Sequence, residues 1–438
     1  MRKLIYIVLF LILIWFPCVN VMANELFPQK DKYIIVIDPG HGGENLGTEA
    51  NPNFKEKDIL MKTAKALVKE LEKYEEFEVY LTRDEDVDIS LRDRAVFAKS
   101  VNADFLFSLH YNASENHTLF GTEVWIPLKA PYHGYGYKFA YLQQLQMQDL
   151  GLFSRGIRTR KGEDGTDYYG IIRECAARNI PAVIIEHCHV DEDRDSLYCN
   201  EDADFEEFGR RDAIAIAKFF GVHEDLSDIP QDLYKIKKNT VVSHTLEDHS
   251  GPNVCRITEE HADYENGVLT IQVKASDKQT QIMYYTYSID GGKTFSKFYP
   301  WPDSDLITGE QNLSVSLMLS IPDGCIPQVA VRTYSKNEFY TTSNVLKGFD
   351  SFITPTAPPA LHAPIKEMVF SEDMVTESEQ TDNSILEIIN LQPENLKISI
   401  KRFWVLLVFI FFWILWLLLG VRFLYRYMQK KRDNSRKD

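Results

Sequence analysis

Four polar side chains in the first half of the chain are of types that could assemble a metal-dependent hydrolase. His41 lies in a glycine-rich turn after the first predicted strand, and Glu56 begins the next predicted helix. His110 and Glu186 each follow the last apolar residue of a predicted strand. Two histidines and one carboxylate with an open fourth position make a catalytic zinc site, and a further carboxylate beside them can act as general base and acid.

Each of these side chains also has a simpler explanation when it is taken alone. A histidine such as His41 in a glycine-rich turn can be a hydrogen-bonding loop residue, and Glu56 can be a first-turn acid favoured by the helix dipole. Glu186 follows three apolar residues, so it must escape burial or find a partner. The placement of all four side chains at such positions favours a catalytic site over these simpler explanations, because ligands of a parallel sheet bind in the crevice beyond the carboxyl ends of its strands.

The elements that must position these side chains alternate between strands and helices over residues 32–222. The apolar run at 33–37 is typical of a strand that is buried on both faces, and apolar residues recur at helical spacing from Ile59. Further strands are predicted at 78–82, 103–109, 121–126 and 181–185, and helices at 59–74, 91–101, 138–149, 168–178 and 204–220. The alternation predicts an α/β domain whose mostly parallel sheet is flanked by helices.

The pattern changes after this first domain. Residues 223–250 are polar and charged without a sustained period, which predicts a linker. Short alternating stretches over 251–350, with a hairpin turn at Asp290-Gly291-Gly292, predict a β-sandwich domain that is immunoglobulin-like in a loose sense. No sequence feature names a ligand for it, so a spacer is at least as good an interpretation as a binding module. Residues 351–402 carry prolines and an acidic Ser/Thr-rich run, which predicts a flexible acidic stalk.

The two ends of the chain carry signals for export and anchoring. Residues 1–23 have a basic start, an apolar run and a small residue at Ala23, which predicts a cleaved signal peptide, with an uncleaved anchor as the alternative. Residues 403–421 lack charges and predict a transmembrane helix, and the basic residues of the 422–438 tail place that tail in the cytoplasm. We therefore expect a single-pass protein of the cell membrane whose catalytic domain lies on the extracytoplasmic side.

Charge and cysteine content narrow the function further. The chain has 438 residues and a net charge of −16, and because the two ends are basic, residues 24–396 carry −26. Such a field repels phosphate backbones, so we expect no nucleic-acid partner. Five cysteines remain after the predicted signal peptide, too few and too scattered for a disulfide framework, although Cys255 and Cys325 could pair.

Six sequence blocks occur in one order and resemble a known family. They are Val36–Gly43 (VIDPGHGG), Lys55–Asp58 (KEKD), Leu81–Arg83 (LTR), Leu91–Ala95 (LRDRA), Ser108–Ala113 (SLHYNA) and Pro181–Glu186 (PAVIIE). This series resembles the zinc-dependent N-acetylmuramoyl-L-alanine amidases of bacterial cell walls, of the amidase-3 type. The resemblance covers roughly residues 32–222.

The resemblance implies a site, a substrate and a reaction. Block by block it implies His41, Glu56 and His110 as ligands of Zn2+, and Glu186 as the catalytic glutamate. The implied substrate is peptidoglycan, in which zinc-activated water hydrolyses the amide between N-acetylmuramic acid and the L-alanine of the stem peptide. The sequence does not indicate any protein regulator.

The chain departs from this family after its glutamate. Where the family continues with apolar residues, this sequence has His187-Cys188-His189-Val190-Asp191. The extra histidines and cysteine could form a second metal cluster, although the alternation of a continuing strand would turn His187 and His189 away from the face of Glu186. Residues 128–167 are rich in tyrosine and glycine, and we expect them to form an insertion that lines or covers the cleft.

Two other functions stay open on the sequence alone. One is a zinc peptidase that acts within the stem peptide. The standard zinc carboxypeptidases pair their first histidine and glutamate closely in sequence, whereas His41 and Glu56 are 15 positions apart. The other is a non-catalytic scaffold that binds peptidoglycan.

Overall fold

The computed structural model describes residues 26–49, 55–302 and 311–353. The predicted signal peptide, transmembrane helix and basic tail, and all but the first three residues of the predicted stalk, lie outside the described residues. Among the residues that are described, none of the helices has the length and apolar character needed to cross a bilayer.

The first domain is built on a six-stranded sheet. Its strands are β1 (Tyr33–Pro39), β2 (Phe77–Leu81), β3 (Phe105–Asn112), β4 (Thr122–Trp125), β5 (Ser154–Arg158) and β6 (Ala182–His189). Their order across the sheet is β2-β1-β3-β6-β4-β5. The first four of these are mutually parallel, and β4 pairs antiparallel with β6 and parallel with β5. The predicted mostly parallel sheet is confirmed; β4 and β5, at one end of the sheet, run opposite to the other four strands.

Helices cover both faces of this sheet. They are α1 (Glu56–Leu71), α2 (Leu91–Ser100), α3 (His133–Leu150), α4 (Gly170–Ala176), α5 (Asp202–Phe220) and the short α6 (Gln231–Lys235). Alternate strand residues such as Phe107 and Ile185 pack with α1, α3 and α5, while Leu106 and Ile184 pack with α2 and α4. Because side chains alternate between the faces of a strand, each apolar run supplies both cores.

Residues 128–167 do not form the insertion that the sequence predicts. They supply α3, which begins at His133 rather than near 138, and the edge strand β5. Phe139 of α3 is fully buried against Phe105 and Phe107 of β3. Most of this segment therefore belongs to the sheet and to the helical layer that covers it.

The residues from 254 onward form a separate antiparallel region. Its strands are β7 (Val254–Asp263), β8 (Val268–Asp277), β9 (Ile282–Ser288), β10 (Tyr299–Pro300), β11 (Gln311–Ser320), β12 (Ala330–Ser335) and β13 (Tyr340–Thr342). They make one sheet in the order β10-β9-β12-β13 and another in the order β11-β8-β7. Buried side chains of both sheets, including Ile271 and Val331, share one core. The region is hereafter called the sandwich; its likeness to immunoglobulin domains stays a prediction.

The segment that connects the two domains is packed rather than extended. Ile229 and Leu233 are buried against the core of the first domain, and His244 and Thr245 are buried further along. The five cysteines of the described residues are all free, so Cys255 and Cys325 do not pair. No disulfide within the described residues therefore stabilises either domain.

Candidate metal centre

His41, Glu56 and His110 converge although they come from three separate parts of the chain. One ligand atom from each lies within 4.8 Å of the other two. Nε2 of His41 and Nδ1 of His110 each lie 3.1 Å from an oxygen of Glu56. The imidazole rings meet edge to face, with centroids 4.8 Å apart. Two nitrogen donors and one oxygen donor therefore surround a common point.

The turn after β1 aims the imidazole of His41 at this point. His41 has a φ of 58°, a left-handed conformation that is uncommon for a residue with a side chain. Its Nδ1 lies 2.9 Å from Oδ1 of Asn45, which orients the ring and leaves Nε2 facing Glu56. Arg94 donates a hydrogen bond of 2.6 Å to the carbonyl of His41, and Arg83 donates one of 2.8 Å to that of Gly40. These arginines hold a strained turn in place.

A buried carboxylate at the end of β1 anchors the same turn. Asp38 accepts hydrogen bonds from Arg94 (2.7 Å), Thr82 (2.6 Å) and Ser108 (2.8 Å). Burial would raise the pKa of Asp38, but the charge of Arg94 and these hydrogen bonds lower it. Four of the six sequence blocks, counting that of Asp38 itself, thus meet around one anion, which gives Thr82, Arg94 and Ser108 a structural role.

Glu56 is the buried member of the three. Its Oε1 accepts a hydrogen bond from the backbone N–H of Tyr111 (3.0 Å), and its Oε2 accepts one from that of Thr48 (2.8 Å). Burial would raise the pKa of Glu56, but hydrogen bonds from His110 and His41 and their charges hold it well below its usual value. A cation held at this point would therefore meet a carboxylate anion at neutral pH.

A cleft of about 350 Å³ opens beside the two histidines, and residues 88–91 form its other side. The side chains of His41 and His110 are each 21% exposed, whereas that of Glu56 is 4% exposed. The glutamate thus lies beneath the histidines, and a ligand in the cleft would meet the imidazoles first.

Glu186 lies next to His110 on the neighbouring strand. The two residues are partners in the parallel register of β3 and β6, so their side chains project from the same face of the sheet. Oε2 of Glu186 is buried and has no hydrogen-bond partner within the described part of the chain. Burial raises the pKa of Glu186, and the charges of Glu56 and Glu123 raise it further. A buried carboxyl group with a raised pKa in a cleft is of the kind that serves in proton transfer.

His187 and His189 do not join a second metal cluster. Nε2 of His187 lies 2.7 Å from Oδ2 of Asp212, and its Nδ1 lies 3.0 Å from the carbonyl oxygen of His110. His189 instead places Nδ1 3.0 Å from the carbonyl oxygen of Gly121. The two histidines serve separate buried hydrogen-bond networks, and within the described residues neither belongs to a group of three possible ligands that could share a metal ion, so the second-cluster hypothesis is wrong.

Comparison with known proteins now identifies the family. Residues 35–218 match the sequence model of a family described as N-acetylmuramoyl-L-alanine amidase, of the amidase-3 type. The amidase CwlM of Bacillus licheniformis is 31% identical over 204 residues, which are 46% of this chain and 73% of that protein. The chain belongs to the N-acetylmuramoyl-L-alanine amidase family.

Other relatives share smaller parts of their length with this amidase. An endolysin of Bacillus phage SPP1 is 30% identical over 193 residues, which are 43% of this chain and 66% of that protein. The amidase AmiC of Escherichia coli is 36% identical over 91 residues, which are 21% of this chain and 22% of that protein. The family match ends at residue 218, before the sandwich begins, so that match concerns the first domain alone.

Sequence reasoning missed one charged residue of the amidase site. Glu123 of β4 is the register partner of Glu186 on β6. Its carboxylate accepts hydrogen bonds from Arg158 (2.6 Å), Arg155 (2.9 Å) and Asn112 (2.9 Å). Burial would raise the pKa of Glu123, but the two guanidinium groups lower it to about 2. A charged residue inside a predicted apolar strand was the signal that could have drawn attention to it.

Substitution of Gly40 should displace His110. A Cβ atom added at Gly40 would lie 2.3 Å from Cε1 of His110, closer than any real contact. We expect Gly40→Ala to push the ring out of place and to lower kcat/KM by about 100-fold, since small misplacements at a reacting centre have effects of this size. Gly162→Ala is the control, because its backbone is not left-handed and the nearest atom to an added Cβ is a side-chain oxygen of Asp164 at 3.2 Å. Wild-type kinetics and metal content in Gly40→Ala would contradict the prediction.

The pKa of Glu123 predicts how acid affects stability. Its value falls from the ordinary 4.5 to about 2 on folding, so its stabilising effect is complete above pH 4.5 and is lost as the pH falls toward 2. Glu123→Gln should lower the free energy of unfolding at pH 7. The difference from the wild type should become smaller as the pH falls from 4.5 toward 2. Urea denaturation at several pH values measures this. A deficit that stays constant between pH 7 and pH 3 would contradict it.

Proposed function

We propose that this protein is a zinc-dependent peptidoglycan hydrolase that cleaves the amide between the lactyl group of N-acetylmuramic acid and the L-alanine of the stem peptide. One observation supports it above the others: the convergence of His41, Glu56 and His110 beside Glu186, in a domain of the N-acetylmuramoyl-L-alanine amidase family.

The three side chains fit a zinc ion by their chemistry. Neutral imidazole nitrogens and a carboxylate are ligands that zinc prefers, and a three-ligand protein site keeps one position for substrate or water. Asn45 fixes the ring orientation of His41 from behind, as outer partners of metal ligands commonly do. Zinc held by these residues would polarise the substrate carbonyl and lower the pKa of water toward 7.

Glu186 would carry the protons of the reaction. As general base it would accept a proton from the attacking water, and as general acid it would deliver that proton to the departing amine of L-alanine. Its buried, unpartnered oxygen and raised pKa suit both steps, because the group must gain and lose a proton within one turnover. No serine or cysteine nucleophile is required.

Analysis of digestion products tests the proposal. The purified full chain is assayed for zinc and incubated with peptidoglycan, and the products are read by mass spectrometry. We expect glycan strands with free lactyl groups together with intact stem peptides that begin with L-alanine. Shortened peptides still attached to muramic acid would instead identify a peptidase, and the absence of both products would identify a binding scaffold.

The location of the protein is part of the proposal and rests on its sequence. The apolar run at 403–421 with basic residues after it supports an anchor in the cell membrane, with the amidase domain on the side of the cell wall. Protease added to intact spheroplasts should then digest the amidase domain. Protection of that domain from the protease would contradict this location.

A further inference from the structure

The amidase domain and the sandwich share a buried apolar contact. Phe120 and Phe153 of the amidase domain pack with Met283, Tyr284 and Tyr334 of the sandwich. The hydroxyl of Tyr284 donates a buried hydrogen bond of 3.0 Å to the carbonyl oxygen of Phe120. Such a contact is uncharacteristic of a domain that serves only as a distant spacer.

Beside this contact, the turn between β12 and β13 reaches the edge of the amidase sheet. Lys336 in this turn is 1% exposed, and its Nζ donates to the carbonyl oxygen of Ile157 on β5 (2.8 Å) and to that of His244. Glu338 has a φ of 63°, so the turn bends sharply there. Its Oε1 accepts hydrogen bonds from Arg155 (2.7 Å) and Arg158 (3.1 Å).

The same two arginines also bind Glu123, the register partner of Glu186. A network of ion pairs therefore joins the turn to the strand beside the proposed catalytic glutamate. Their side chains are each 4% exposed and face Glu123, which is 2% exposed, on one side and Glu338 on the other. Two buried guanidinium groups thus meet two carboxylates, one from each domain. Removing Glu338 leaves two buried guanidinium groups to share the single carboxylate of Glu123, so part of their charge is no longer compensated.

Glu186 lies beside Glu123 on the neighbouring strand of the sheet. Glu123 and Glu186 are register partners on β4 and β6, and Glu186 and His110 are partners on β6 and β3. Burial and the carboxylates raise the pKa of Glu186, and the charge of Arg155 already acts on it in the opposite direction, so an arginine released by Glu338 has this carboxyl group as a second partner. An ion pair with arginine would draw Glu186 away from the scissile amide.

We propose that the turn at residues 335–339 is a positioning element of the amidase site, through which the sandwich keeps Arg155 and Arg158 on Glu123 and thereby keeps Glu186 in place. This inference rests on the proposed role of Glu186. Glu338 is a positioning residue, since it acts on the site through the arginines and touches none of the reacting atoms. The sandwich then contributes to catalysis by positioning residues of the amidase site.

Steady-state kinetics of the full chain on a soluble muramyl-peptide test the proposal. In Glu338→Gln we expect kcat to fall by about tenfold or more while KM changes by less than about twofold, because Glu186 acts in the transition state and not in substrate binding. Glu338→Asp keeps the charge but shortens the reach, so its kcat should be intermediate. Glu260→Gln makes the same change at an exposed site on β7 of the sandwich and should match the wild type.

The outcomes separate this inference from the proposed function. A wild-type enzyme that releases no L-alanine stem peptides would refute the proposed function. An active wild type with unchanged kcat in Glu338→Gln would overturn the positioning role alone, as would an equal fall in Glu260→Gln. If Glu338→Gln does not fold, Glu338→Asp decides, and wild-type kcat in that folded variant would overturn the inference.

Discussion

Replacing Glu186 with glutamine is expected to lower kcat for amide hydrolysis by about 1,000-fold, within the range that general acid–base catalysis contributes. Glutamine keeps the shape and polarity of the side chain but cannot accept a proton from water or return one to the amine. The zinc content should stay at the wild-type value, since Glu186 is not among the three converging ligands. Kinetics with a soluble muramyl-peptide and zinc analysis of the same preparation measure both effects.

The control for this substitution makes the same chemical change away from the cleft. Glu174 pairs with Arg178 on the surface near the end of α4, 2.6 Å from its guanidinium, and is one-third exposed. Glu174→Gln should therefore retain wild-type kcat. More than about a tenth of wild-type kcat in Glu186→Gln would show that another group moves the proton.

The fold of the amidase domain could be predicted where the signal is local. The apolar runs at 33–37, 103–109 and 181–185 each became a central strand, because residues buried on both faces must be apolar throughout. Strand β5 was missed, since Ser154–Arg158 has one aliphatic side chain among polar ones. Its place is decided by pairing with β4 and by ion pairs with Glu123, which local periodicity does not record.

The candidate site likewise has a part that could be predicted from the sequence and a part that could not. The four side chains at strand and helix ends could be predicted to meet, because a parallel sheet gathers the carboxyl ends of its strands at one edge. The arginine network could not be predicted. Arg155 is 32 positions from Glu123 and 183 from Glu338, and a buried charge finds such partners only after the chain has folded. A polar residue inside a predicted strand indicates that a partner exists without indicating where.

Loss of the metal is the expected result of replacing His110 with alanine, and activity should fall with it to the background rate. Outer partners of metal ligands are worth about 10- to 100-fold in affinity, so the loss of a ligand should exceed this range. The remaining His41 and Glu56 would offer two protein ligands, one fewer than catalytic zinc sites use. Zinc per chain after dialysis, measured by mass spectrometry, gives the result directly.

His117 supplies the matched control. It lies in the loop after the same strand, its side chain is 58% exposed, and its Nδ1 is 2.7 Å from Oδ2 of Asp191, outside the group of converging ligands. His117→Ala should keep about one zinc ion per chain and full activity. If His110→Ala also retained that zinc after dialysis, the metal would be held elsewhere, and the convergence of His41, Glu56 and His110 would need another explanation, such as hydrogen bonding between two imidazoles and a buried carboxylate.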